Sequence, residues 1–342
     1  MRIGEITDTL VTIYNNEATR ARTVYLEGPS GIGKSEAVRT VVERLAADGK
    51  GEVGLYDLRL STSDPTDFGL VMPVDGELVR QKPAFISYME RFDRGVMFLD
   101  EITSAPPAVQ APAYQLTLDR ACNGFSVPDG WMVVAAGNAQ TDRGVTYTMA
   151  APLVSRMTTI SVDTHLDDVM SYAINKGVNP LVIAFLRERP DLLHKFNGSA
   201  YTGRQFPTPR SWFAVSDKLE LDVPREMRLE LITGDVGDEA GIAFEEFTRV
   251  WELMPSLEAI MTDPDQVEVP DRLDLRYCVT MGLATRIDGD NFGTAWRFLK
   301  RMPREFQALC VKLAVKAGKE VSMSPAFSEW IAENSDAYSS LL

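Results

Sequence analysis

Residues Gly28-Pro29-Ser30-Gly31-Ile32-Gly33-Lys34-Ser35 carry the G-x-x-x-x-G-K-[ST] spacing of a phosphate-binding loop. Glycines so spaced let backbone N–H groups turn inward around a polyphosphate. A lysine at position 34 reaches the β- and γ-phosphates, and the Ser35 hydroxyl suits Mg²⁺. Two acids follow further along the chain, in Val96-Met97-Phe98-Leu99-Asp100-Glu101. There Asp100 can hold Mg²⁺, directly or through water, and Glu101 can orient and deprotonate an attacking water. Trp131-Met132-Val133-Val134-Ala135-Ala136-Gly137-Asn138 ends in an amide able to bond both a γ-phosphate and that water. By residue type alone Asn138 is also an ordinary turn residue. Its place after the acidic run favours the chemical role.

These groups need strands to deliver them. Thr23–Glu27 is a short, mostly apolar run ending at the glycine loop, and 35–48 repeats apolar residues at helical spacing until Gly49 and Gly51. The loop therefore opens onto a helix N-terminus, where the dipole favours an anion, and Glu36 belongs to that first turn. Strands are expected at 23–27, 53–58, 95–100, 131–137 and 158–163. Helices are expected before residue 23 and at 35–48, 83–93 and 105–119. Such alternation predicts an α/β fold with a parallel sheet in a three-layer αβα arrangement. A buried parallel strand presents its ligands at its C-terminal edge, where Asp100, Glu101 and Asn138 fall.

After about residue 164 the strand signal fades. Helical patterns are expected at 166–176, 179–189, 209–219, 224–233 and 238–254, then at 273–286, 290–301, 303–317 and 324–336. A linker is expected at 262–272. The division read from this is 1–163 for an α/β nucleotide-binding domain, 164–262 for an all-helical lid, and 263–342 for a further helical region.

The chain has 342 residues and a net charge of −14. An acidic surface repels phosphate backbones, which argues against broad nucleic-acid binding. Cys122, Cys278 and Cys310 are odd in number and far apart, so they predict neither a zinc site nor a disulfide framework but small buried side chains. With only two histidines, a His-rich metal site is excluded. No apolar stretch is long enough to span a membrane. No apolar segment follows Met1-Arg2-Ile3-Gly4-Glu5 as a signal peptide would require, so a reducing cytoplasm is the expected compartment.

The ordered set Gly28–Ser35, Leu99-Asp100-Glu101, Gly137-Asn138, Leu153-Val154-Ser155-Arg156-Met157 and Pro207-Thr208-Pro209-Arg210-Ser211-Trp212 resembles the AAA+ ATPases. Its nearest likeness is the MoxR-type branch of bacteria and their phages. The resemblance covers about residues 1 to 250 and implies a Mg²⁺-dependent ATPase working as a ring, most often hexameric. It makes Asn138 the sensor 1 residue and Arg156 the arginine finger that completes a neighbouring subunit's site. Arg143 is the rival for that role. Arg210 becomes the sensor 2 residue opening a lid helix, and Pro209 at a first helical turn agrees with capping physics. On residue type alone, Arg156 and Arg210 are equally solvated charges.

The resemblance further implies chaperone-like remodelling of a protein partner, often one of von Willebrand factor A type. It also makes 61–82 and the Asn123-Gly124 hairpin clade insertions, with Phe68 and Phe125 either gripping a partner or packing beneath a loop. Two other readings stay open: a nucleic-acid motor or replication accessory, and a nucleotide-gated scaffold with slow hydrolysis. Arg297, Lys300, Arg301 and Arg304 are the basic cluster that would serve the first.

Overall fold

A computed structural model describes residues 1–138, 147, 149, 155–196, 204–316 and 320–333. They fall into two compact units, Met1–His165 and Leu166 onward.

In the first unit the strands are β1 (Val24–Glu27), β2 (Gly54–Arg59), β3 (Val71–Val74), β4 (Glu77–Arg80), β5 (Gly95–Asp100), β6 (Ala121–Cys122), β7 (Phe125–Ser126), β8 (Trp131–Gly137) and β9 (Thr158–Ser161). Five of them form one parallel sheet in the order β2-β5-β8-β1-β9. β5 and β8 are buried along their whole length. Their unbroken apolar runs are what a strand covered on both faces requires. Successive side chains go to opposite faces. Val96 and Phe98 join Ile6, Leu10, Val38 and Val41 from helices α1 (Ile3–Asn15) and α3 (Lys34–Ala46). Met97 and Leu99 join Phe85, Ile86, Val109 and Leu116 on the other face, from α4 (Ala84–Met89) and α5 (Pro107–Asp119). A short helix, α2 (Glu17–Arg20), precedes β1. Each such large side chain contributes about 1.5–3 kcal/mol on full burial, so the sheet is clamped from both sides.

Two small hairpins interrupt this plan. β6 and β7 pair across Asn123-Gly124, both at positive φ, as the Asn-Gly signal predicts. The pairing of β3 with β4 leaves no periodicity in the sequence. Its residues are all exposed, so the alternation that betrays a half-buried strand is missing. Phe68 is only 2% exposed and packs edge-on against Phe85, which is packing beneath a loop.

The second unit is helical: α6 (Leu166–Asn175), α7 (Pro180–Glu188), α8 (Pro209–Lys218), α9 (Arg225–Val236), α10 (Asp238–Trp251), α11 (Leu257–Thr262), α12 (Leu273–Ala284), α13 (Phe292–Leu299), α14 (Arg304–Lys316) and α15 (Pro325–Glu333). Phe185, Trp212 and Phe244 pack together with tilted and edge-on rings, and Trp212 Nε1 donates to Leu192 O at 2.7 Å. Trp296, Phe298 and Trp330 belong to the same buried cluster, so helices before and after residue 263 share one core.

The stretch expected as a linker is a fastened strap. Arg301 donates to Pro264 O at 2.8 Å and to Val267 O at 2.9 Å, while Arg297 pairs with Asp265. Val267 and Val269 pack against the core. All three cysteines are buried and free, and burial pushes the Cys122 thiol up to about 11. No helix among the described residues is long and apolar enough to cross a membrane.

Candidate functional site

The glycine loop leaves the C-terminal end of β1 and enters α3. Gly28 N–H donates to Gly137 O at 3.2 Å, which ties the loop to the adjacent end of β8. A Cβ on residue 28 would lie 2.6 Å from Val162 O, so only glycine fits there. Gly33 is the N-cap of α3 and brings no side chain to cap it. The helix terminus is thus left to an anion, as its dipole favours.

Lys34 is buried, and its Nζ donates to Gly28 O at 2.6 Å and Pro29 O at 2.7 Å. It also donates to Asn138 Oδ1 at 3.4 Å. Ser35 Oγ donates to Asp100 Oδ2 at 2.9 Å. One locus therefore holds Lys34, Ser35, Asp100 and Asn138, delivered by α3, β5 and the end of β8.

Asp100 is 7% exposed. Burial raises its carboxyl above the usual range and the Glu101 charge adds to this, while the Ser35 hydrogen bond works the other way. Glu101 follows at φ 58°, in the left-handed region that a non-glycine residue seldom occupies. Its N–H donates to Asp100 Oδ1 at 2.9 Å, and its carboxylate accepts from Ser61 Oγ. Ser61 lies just past β2 as Glu101 lies just past β5, and those strands are paired. It begins the 61–82 stretch that reads as an insertion, and only strand order reveals its place. Thr103, two residues beyond Glu101, is the other unanticipated member: its Oγ1 accepts from Asn138 N–H at 3.0 Å.

These residues fit Mg²⁺. The ion takes oxygen ligands at about 2.0–2.1 Å in near-octahedral array and keeps phosphate and water oxygens in its shell. Ser35 Oγ and Asp100 Oδ2, 2.9 Å apart, suit neighbouring positions of such an array. No group of three or more His, Cys, Asp or Glu among the described residues could hold a metal; phosphate and water oxygens would fill the rest of a Mg²⁺ shell.

The fold is that of the P-loop nucleoside-triphosphatases. The parallel strand order, and a glycine loop joining the end of β1 to a helix, define it. Arg156 is exposed in the turn before β9. Arg143 lies outside the described residues. Arg210 is exposed near the start of α8 in the second unit, where Thr208 Oγ1 accepts from Ser211 N–H at 3.1 Å.

No protein-family model matches the chain, and no curated protein does. Among solved structures it is similar to NtrX from Brucella abortus in complex with ADP, at 15% identity and TM-score 0.40, over 96% of this chain and 68% of that one. It is similar to a RuvB mutant of Thermotoga maritima at 14% identity and TM-score 0.39, over 87% and 88% of the two chains. For PCH-2 of C. elegans the values are 13% and 0.35, over 87% and 69%. Likenesses this faint say nothing about activity.

Proposed function

We propose that this chain is a Mg²⁺-dependent ATPase of AAA+ type. The Ser35–Asp100 pair beside a buried Lys34 carries the reading, because it places a hydroxyl, a carboxylate and an ammonium where a phosphate loop and an acidic strand meet. Residues 28–36 bind the polyphosphate through N–H groups and Lys34. Ser35 and Asp100 would hold Mg²⁺, which would supply positive charge to offset that of the phosphates. Glu101 takes the proton of the attacking water, and Asn138 orients that water against the γ-phosphate.

In the finer reading the protein is a MoxR-type ring, hexameric, that remodels a protein partner, with a von Willebrand factor A-type protein as the first partner to test. Arg156 serves the neighbouring subunit's site and Arg210 reads the γ-phosphate. The resemblance of the five ordered motifs supports this. The nucleic-acid motor is disfavoured by the basic cluster, since Arg297, Lys300 and Arg301 have partners within the fold.

The experiment pairs nucleotide binding with turnover. Lys34→Ala should abolish ATP binding. Glu101→Gln should bind ATP and cut turnover at least a hundredfold, in line with loss of a general base. Hydrolysis by Glu101→Gln at the parental rate would sink the assignment.

A further inference from the structure

We infer that Thr103 is a positioning residue for hydrolysis, setting Asn138 in register with Glu101; this deepens, and rests on, the ATPase reading. Thr103 sits in the one-turn 3₁₀ segment Ile102–Ser104 that Glu101 opens from its left-handed conformation. Ser104 N–H donates back to Glu101 O at 2.9 Å, so the turn is closed on the acid. The Thr103 side chain is 3% exposed. Its hydroxyl accepts the Asn138 backbone N–H across to the neighbouring strand end.

This contact does what the sheet no longer does. β5 pairs with β8 from Gly95↔Trp131 to Leu99↔Ala135, and the ladder stops there. Glu101 and Asn138 both lie beyond the last pair. A single side-chain bond from Thr103 therefore bridges the two strand ends where the acid and the amide emerge. Gly137 makes the approach possible: a Cβ there would lie 2.8 Å from Thr103 Oγ1 and Cγ2 and from the Tyr25 hydroxyl. The Gly137 carbonyl accepts Gly28 N–H, so the loop is held to β8 by a bond that does not involve Thr103. Side-chain position rather than affinity is what the bond controls. Binding is governed by the loop N–H groups and Lys34, whereas turnover needs the water held between Glu101 and Asn138.

The test measures kcat and KM for ATP in the full chain, with binding of a fluorescent ATP analogue and thermal melting alongside. Thr103→Val, which keeps shape but loses the acceptor, should lower kcat about tenfold or more with KM and analogue binding within about twofold. Thr103→Ser keeps the hydroxyl and should restore kcat to within about threefold of the parent. If Thr103→Val fails to melt cooperatively, Thr103→Ala takes its place against Thr103→Ser. Parental kcat in Thr103→Val, or an equal loss in Thr103→Ser, would overturn the role of Thr103 while leaving the ATPase reading intact. A parent that binds the analogue but never hydrolyses ATP would overturn both.

Discussion

At the residue scale the decisive quantity is space. Gly28 lies beneath the carbonyl of Val162, and a methyl group at residue 28 would meet that oxygen at 2.6 Å, with Val162 Cβ at 3.1 Å. Neither is the tip of a flexible side chain, so the backbone itself must move. Gly28→Ala should lower stability by about 1–3 kcal/mol through overpacking and weaken ATP binding by about tenfold or more. Calorimetric unfolding and titration with an ATP analogue check the two halves. An unchanged affinity would show that the loop tolerates displacement of its first residue. The glycine, lysine and serine of the loop were legible because their spacing is itself the chemistry. Ser61 and Thr103 were not, because a hydroxyl becomes a partner of Glu101 or Asn138 only once β2, β5 and β8 lie side by side.

At the element scale, strands and helices with strong periodicity were readable to within a few residues, and the weakly patterned pieces were not. β5 and β8 announced themselves by continuous apolar runs, whereas β3 and β4 bury nothing and so wrote no pattern into the sequence. The strap near residue 265 looked like a linker because its own residues are polar. What fastens it is Arg301, more than thirty residues later. Helix α8, which carries Arg210, shows capping at work. Thr208 Oγ1 accepts from Ser211 N–H, Thr208 N–H donates to Ser211 Oγ at 2.8 Å, and Pro209 starts the first turn. Thr208→Ala should cost about 1 kcal/mol. It should also loosen the first turn, read as faster hydrogen exchange at Ser211 than along the rest of α8. Equal protection across the helix in both proteins would assign its stability wholly to packing around Trp212.

At the scale of the whole molecule the proposed ring would bring a second subunit to the site. The described residues that gather at the loop include one lysine and no arginine. Positive charge on the γ-phosphate in the transition state is worth ~10³–10⁵ in rate when an arginine supplies it in related nucleotidases. Arg156, exposed before β9, is the proposed donor to a neighbour. Arg156→Ala should lose turnover but keep ATP binding. Mixed with an excess of Glu101→Gln, which keeps its arginine but lacks the base, it should regain activity at shared interfaces. Mixtures no more active than either variant alone would assign Arg156 a role within its own subunit, or pass the role to Arg143.

The strand order has a consequence for how the protein is made. β1 reaches the sheet between β8 and β9, which begin at Trp131 and Thr158, while β2, next in sequence, pairs only with β5. During synthesis the glycine loop therefore emerges well before β8 and β9, the strands that give it its platform. Pairings between segments so distant in sequence form slowly. Chains halted on the ribosome before residue 131 should leave β1 open to protease, and chains halted past β9 should not. The nucleotide itself, if present in that interval, has no finished site to fold around.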